Sequence, residues 1–427
     1  MRYQVPRGTH DILPTDIDEW LVIEKEFRNV CARYGYREIR TPEFEATDLF
    51  VRTAGETSDI VTKQMYSFTD QGGNSFTLRP EGTAPIVRAF LEHTLSHGIP
   101  LRKLCYVGVP VFRWERPQAG RYRIHHQCGI EAIGSSDPAL DAEIITLGVD
   151  FLKAIEINDF SIHLNAIGCP ECRPAYRNEL VAQLGTVRDE LCSDCQRRLD
   201  VNPLRVLDCK NERCNELTHE SPGPAKFLCR ECLTHFADVK KLLDLIGIQY
   251  RLDDRLVRGL DYYTKTAFEF LHGELGAQNA VLGGGRYDGL VESCGGDATP
   301  GIGFGSGIER LVLVRRESGN STPSTSPTDV FVSTIGEGTK QTALQLLYNL
   351  RRAGVGADTD YFERGLRAQM RFADSLEAKI VIIVGADELA RGTVQLRELM
   401  QRDQPGDTTQ QEVPLEHIVD EIKRRLS

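Results

Sequence analysis

Residues 112–127 read FRWERPQAGRYRIHHQ and pack Arg113, Arg116, Arg121, Arg123, His125 and His126 around one carboxylate, Glu115, in a chain whose formal net charge is -11. Guanidinium groups at this density suit oxyanions, since each planar fork offers paired donors to a phosphate or carboxylate. Arg258 in VRGLDYY and Arg310 in GIGFGSGIERL sit beside glycines. Singly, each arginine reads as a surface residue. Together, Arg113, Arg121, Arg258 and Arg310 suit a polyphosphate, because phosphoryl and nucleotidyl transfer place charge on equatorial oxygens. The sequence holds no Walker loop, Ser-His-Asp order or HExxH string. The glycines of 301–307 lack the flanking strand and the later acid of a dinucleotide fingerprint. They read instead as places where a ligand approaches the backbone, with Arg310 projecting from the helix that follows.

Two strands, 104–114 and 122–133, joined by ERPQAGR, predict a hairpin that sets Arg113 opposite the start of the second strand. Alternation sends Arg123, His125, Gln127, Gly129 and Glu131 to one face and Ile124, His126, Cys128, Ile130 and Ala132 to the other. A solvated sheet face also alternates in this way. The opposite charges of Arg123 and Glu131, the amide of Gln127 and Arg113 across the ladder favour a lined cleft. FTLRPEGTAPIVRAFLE (76–92) predicts a strand, a turn at Pro80 to Gly82 and a helix.

The apolar stripe of Trp20, Ile23, Phe27, Val30 and Cys31 predicts a helix over 14–34, packed within its own subunit or against a partner. YREIRTPEFE reads as a strand ending at Pro42, residues 256–271 as another, AVLGGGRYDGLVESCGG as a strand and glycine-rich turn, and GIGFGSGIERLVLVRR as a strand or turn followed by a helix. Strands with few helices between them predict an antiparallel sheet. ESGNSTPSTSPTD (317–329) reads as a linker, and beyond it the pattern becomes βαβαβ, with Arg364, Arg367 and Arg371 at helical spacing.

The chain has 12 cysteines, eight of them in the close pairs Cys169/Cys172, Cys192/Cys195, Cys209/Cys214 and Cys229/Cys232. MRYQVPRGTHDILP has no apolar signal core, so the cytoplasm is the expected compartment, where disulfides do not persist. The spacing suits thiolate ligands, enough for two zinc sites of four cysteines each, or for one, against the alternative of unligated thiols. Four thiolates leave no open position, so such a zinc is structural.

With 41% hydrophobic and 26% charged residues in 427, the composition is that of a globular chain of about two or three domains. No stretch approaches the ~20 apolar residues of a membrane span. A pI near 5.5 argues against a protein that coats nucleic acid non-specifically, though a local basic footprint is compatible with it.

TLRPEGT (77–83), FRWERPQAGRYRIHHQ, RGLDYYTKTAFEF (258–270), GGGRYDGL (283–290) and GIGFGSGIERL closely resemble the histidyl-tRNA synthetases, a family of class II aminoacyl-tRNA synthetases. The resemblance implies an α+β fold: a class II catalytic domain over 1–325 with a mixed, mainly antiparallel sheet flanked by helices and a Cys-rich insertion at about 165–250, then an α/β anticodon-binding domain over 328–427. It implies a homodimer with its interface at 14–42. The substrates would be L-histidine, ATP with Mg2+, and tRNA(His).

By position, the resemblance places Arg113 at the ATP α-phosphate and Arg310 at the γ-phosphate, with Arg258 at the reacting carboxylate and α-phosphate. Glu115, Arg121, Arg123 and His125 fall among the ATP contacts, and Arg116 and Gln118 where the hairpin loop meets the tRNA end. Glu81 and Thr83 match the receptors of the α-ammonium group, with Gln127 nearby and Gly82 also in the histidine site. Glu131 and Tyr263, with Tyr262 beside them, match the imidazole site. Arg364 and Arg367 fall on the anticodon side. One departure is Ile124–His125, where the family pattern has Gln-Phe, so that an imidazole replaces a ring expected to stack on adenine. A regulatory, non-catalytic paralogue is the alternative, expected to lack the site arginines and the C-terminal domain.

Overall fold

The protein is described from a computed structural model that covers residues 3–426 except 56, 57, 59, 115, 117–121, 210, 274–278, 323–327 and 400–409. It divides into two compact units, Met1–Pro323 and Ser324–Ser427.

The first unit is built on an eight-stranded sheet in the order Arg37–Glu38, Arg102–Phe112, Ile124–Ile133, Gly301–Gly307, Ala280–Arg286, Thr264–Leu271, Ser161–Ala166, Arg251–Leu252. Only the two outermost pairings are parallel, so the central six strands form an antiparallel floor. The hairpin falls at 102–133, and its inward set is buried as alternation requires: Cys128, Ile130 and Ala132 pack under helices Pro14–Arg33, Pro138–Ala154, Arg230–Leu245 and Ile308–Glu317. The apolar stripe of the first helix, Trp20, Ile23, Phe27 and Val30, is buried in this core, the first of the two packings the sequence allowed it. Phe27 meets Phe151 edge-on at 4.8 Å.

Other expectations are corrected. The strand over YREIRTPEFE is broken into Arg37–Glu38 and Phe44–Ala46, the latter joining a separate three-stranded sheet with Ser75–Leu78 and Tyr66–Thr69. The strand expected from residue 256 starts only at Thr264. The supposed glycine turn at 283–285 is the middle of strand Ala280–Arg286. A Cβ on Gly285 would stand 2.7 Å from the Thr266 carbonyl and 2.9 Å from the Tyr263 ring, and one on Gly283 would strike the Arg258 guanidinium. These glycines therefore make room for Arg258, Tyr263 and the adjacent strand rather than turning the chain.

The cysteine-bearing segment forms helices Arg173–Gly185, Ser193–Val201 and Glu212–Thr218, with a small core of Leu184, Leu191, Leu199 and Val206 among its thiols. Helix Arg230–Leu245 packs into the main core through Val239 and Leu243. Its His235 holds Asp141 at 3.0 Å, and Asp141 in turn pairs with the fully buried Arg286.

The second unit has a five-stranded sheet in the order Ala357–Thr359, Val330–Ile335, Ile380–Gly385, Thr393–Glu398, Gln410–Pro414. The first three strands are parallel, as the βαβαβ pattern predicts, and the last two add an antiparallel edge.

Candidate active site

On the hairpin's second strand, the outward set ends at Glu131, opposite Gly303 on the neighbouring strand. A side chain at 303 would collide with the Glu131 carboxylate, so glycine there leaves room for it. Glu131 is 1% exposed. Thr83 Oγ1 donates to one carboxylate oxygen at 2.7 Å and the Tyr287 hydroxyl donates to the other. Burial pushes its carboxyl up to about 8, against the two hydroxyl donors, which favour the ionised form. The floor beside it is Tyr106, whose ring fills the space left by Gly82 and Gly129. Neither Tyr106 nor Tyr287 was expected from sequence. Tyr287 lies within GGGRYDGL, so that motif was the available signal, whereas Tyr106 belongs to a strand on which Arg113 alone stood out.

Glu81 ends the turn that follows strand Ser75–Leu78, and its carboxylate accepts from the N–H groups of Thr83 (2.7 Å) and Ala84 (2.8 Å) at the start of helix Thr83–Glu92. It acts as a cap from inside the site. Burial raises its carboxyl above the usual range, countered by those N–H donors and by Arg113. Arg79, unremarked in the sequence, ties this turn to the hairpin by donating to the carbonyls of Pro110 (2.7 Å), Thr41 (3.2 Å) and Pro42 (3.3 Å).

Arg113 leaves the first hairpin strand, with its N–H bonded to the Arg123 carbonyl at 2.8 Å and its Nε donating to the Pro80 carbonyl at 2.7 Å. Burial lowers its pKa, the nearby Glu81 opposes that, and the like charge of Arg258 adds to it. Arg258 forms an ion pair with Glu269 and lies over the Tyr263 ring, 5.6 Å from its centroid. Tyr263 stacks beside Tyr262 at 4.7 Å, and the Tyr262 hydroxyl lies 3.5 Å from Glu81 Oε2. Two guanidinium groups thus sit within electrostatic reach of one another, on a wall shared with Glu81, Glu131 and tyrosines. Such a site attracts a substrate carrying two anionic groups.

The remaining candidates spread outward. Gln127 pairs with Gly307 across the strands, its amide next to Gly305. Arg123 is stacked 3.7 Å from the centroid of the Trp114 ring. His125 pairs with Val111 on the site face, while His126 turns away, held by Glu309 at 3.0 Å and edge-on to Trp20. Arg310 donates to the Ala280 carbonyl, with the charge of Glu269 nearby. Arg116 is exposed; Glu115, Gln118 and Arg121 lie outside the described residues. In the second unit, helix Leu366–Ser375 starts after Arg364, so the single arginine face expected of Arg364, Arg367 and Arg371 is not formed. Arg364 instead pairs with Asp360 and lies over Phe372 at 4.4 Å, leaving Arg367 and Arg371 exposed one turn apart.

The cysteine pairs assemble as two nested groups: Cys169, Cys172, Cys229 and Cys232, and Cys192, Cys195, Cys209 and Cys214. Within each, the ligand atoms all lie within 4.8 Å of one another. Sulfur pairs Cys169–Cys172, Cys172–Cys232 and Cys192–Cys209 stand 3.4, 3.6 and 3.9 Å apart. Four thiolates at ~2.3 Å around a tetrahedral ion would lie ~3.8 Å apart, whereas a disulfide needs ~2.05 Å. Backbone N–H groups of Cys169 and Cys192 point at Cys172 and Cys214 sulfurs, 3.2 and 3.3 Å away. Both groups fit a tetrathiolate metal centre.

The profile of the histidyl-tRNA synthetase family matches residues 8–174 and 177–311, and that of the anticodon binding domain matches residues 329–425. The histidine–tRNA ligase of Desulforamulus reducens is 50% identical over 421 residues, 98% of this chain and 99% of that protein. That of Moorella thermoacetica is 51% identical over 420 residues, covering 98% and 97%. Among solved structures, apo S. aureus histidyl-tRNA synthetase superposes with a TM-score of 0.82 at 37% identity, over 99% of this chain and 100% of that one. A site of paired arginines facing buried carboxylates, on an antiparallel sheet matched from end to end by these relatives, makes this chain a member of the histidyl-tRNA synthetase family.

Proposed function

We propose that this chain is a histidine–tRNA ligase: it joins L-histidine to ATP as histidyl-adenylate, releasing pyrophosphate, and then passes histidine to the 3' end of tRNA(His). The observation that carries this reading is the convergence of Arg113, Arg258, Glu81 and the buried Glu131 on one cleft. Activation drives a carboxylate onto an α-phosphorus, bringing two anions together, and the two guanidiniums offset that repulsion and the charge that develops.

In this reading Glu131, with Tyr263, recognises the imidazole. An acceptor fixed by Thr83 and Tyr287 demands an N–H from the substrate, and amino acids of similar size without one leave a buried carboxylate unpaired. Glu81, Thr83 and Gln127 receive the α-ammonium group, with the Tyr262 hydroxyl beside Glu81. Arg310 and Arg123 hold the outer phosphates and adenine side of ATP, His125 lies against the nucleotide, and Glu115 and Arg121 extend that contact. Mg2+, when bound with ATP, neutralises the phosphates. Arg116 and Gln118 meet the tRNA end, and Arg367 serves the anticodon side with Arg364. We read residues 1–325 as the catalytic domain, 328–427 as the anticodon-binding domain, and the protein as a cytoplasmic homodimer. A regulatory paralogue is disfavoured because Arg113, Arg258, Arg310 and residues 328–427 are all retained. Transfer of labelled histidine to a tRNA(His) transcript tests the full reaction; a protein that charges no tRNA overturns it.

The two cysteine groups are read as structural zinc centres, which staple a segment too small to hold itself by its own core. Elemental analysis of tag-free protein is expected to give two zinc ions per chain. Cys195→Ser should release one of them and lower the melting temperature by about 5 °C or more. Zinc-free protein, with an unchanged melting temperature in the variant, contradicts this.

A further inference from the structure

The stretch Leu256–Tyr263 carries Arg258 and Tyr263 into the site without being part of the sheet, so something else must fix it. Two of its carbonyls and the Asp261 carboxylate are held by the cysteine segment. Arg205 donates to the Arg258 carbonyl at 3.1 Å, Asn202 donates to the Asp261 carboxylate at 2.6 Å, and Arg173 donates to the Asp261 carbonyl at 3.2 Å. Just upstream, Arg255 donates to the Thr218 carbonyl at 2.8 Å. Arg173, Asn202, Arg205, Arg258 and Asp261 line one wall-to-wall cavity of about 520 Å3 between the segment and this stretch.

Each holding residue is tied to a cysteine. Arg173 directly follows Cys172. Asn202 ends the helix Ser193–Val201 that carries Cys195, and Arg205 lies in the single turn Pro203–Val206 that leads to Cys209. Thr218 closes the helix of Cys214, with its hydroxyl bonded to the Cys214 carbonyl at 2.9 Å. Apart from thiols, the buried core around Asn202 and Arg205 is Leu184, Leu191, Leu199 and Val206, with a second small cluster of Tyr176, Leu180, Leu207 and Val257. Two apolar clusters of this size do not order a segment of this length without a staple.

We infer that the Cys192/Cys195/Cys209/Cys214 centre is a positioning device for catalysis. Metal held by its thiolates fixes Asn202 and Arg205, and these fix the Asp261 carboxylate and the Arg258 carbonyl, setting the Arg258 guanidinium against the reacting groups. Asn202 and Arg205 are positioning residues that touch no substrate. This rests on the zinc reading above and adds a consequence: loss or oxidation of a centre remote from the substrates switches off activation.

The test uses the full-length protein and the variants Asn202→Ala, Arg205→Ala and Arg205→Lys. Zinc content, melting temperature, ATP/pyrophosphate exchange and amide hydrogen exchange of the 256–263 peptide are all read. The alanine variants should keep both zinc ions and their melting temperature, lose about tenfold or more in kcat with KM for ATP unchanged, and exchange hydrogen faster at 256–263. Arg205→Lys should recover part of the loss. Stripping zinc from the parent protein should loosen the same peptide. Alanine variants with zinc retained, parental kcat and parental hydrogen exchange overturn the positioning role while leaving the zinc reading standing. A parent protein that is free of zinc, yet as protected at 256–263 as after zinc addition, overturns the metal dependence together with the zinc reading.

Discussion

Arg258→Ala is expected to lower histidine-dependent ATP/pyrophosphate exchange ~100-fold or more while leaving the fold intact. In the free protein Arg258 is committed to Glu269 and the Tyr263 ring, and Gly283 exists to admit it. Its removal frees Glu269, a side chain 24% exposed that water can solvate, so little stability is lost. In the proposed reaction, what is lost is one of two cations that face the α-phosphate and the attacking carboxylate. Arg258→Lys should recover little, because an ammonium cannot present the planar fork that bridges two oxyanions. Equal rates for parent and alanine variant would remove Arg258 from the reaction.

Glu131→Gln should be costlier to function and at the same time stabilising. The substitution keeps shape and volume but puts an amide where, in the proposed reading, the imidazole needs an ionisable acceptor, so kcat/KM for histidine should fall by about a thousandfold. Stability moves the other way through proton linkage. The carboxyl is pushed up to about 8 by burial, against ~4.3 in the unfolded chain. The folded state therefore holds its proton more tightly. Parental stability is fully present below about pH 4.3 and declines as pH rises towards 8. Glutamine has no proton to lose, so the melting temperature of the variant should gain on the parent between pH 5 and pH 8.5. A gap that stays constant over that range would show that Glu131 is not held protonated in the empty site.

The hairpin was legible because alternation has one physical meaning on a half-buried sheet: Cys128, Ile130 and Ala132 went into the core, and Glu131 went to the site. The turn before Thr83 was legible from Pro80 and Gly82. What misled were signals with two causes. Glycine marks turns, but at 283–285 it marks space for Arg258, Tyr263 and the adjacent strand, which nothing local reveals. Residues 256–271 read as one strand, yet Arg258 to Tyr263 are drawn out of the sheet by bonds to residues about 50 to 90 positions earlier, such as Arg205 and Arg173. Cysteine spacing identified the pairs but not their nesting, since which pair meets which is set by the helices between them. Tyr106 and Arg79 act through contacts with distant backbone and carry no motif of their own.

The central claim is that this cleft activates histidine and no other amino acid. Exchange of labelled pyrophosphate into ATP, run with each of the twenty amino acids in the absence of tRNA, tests it most directly. Exchange with histidine alone is the expected result. Absence of exchange with histidine, or equal exchange with another amino acid, would contradict it.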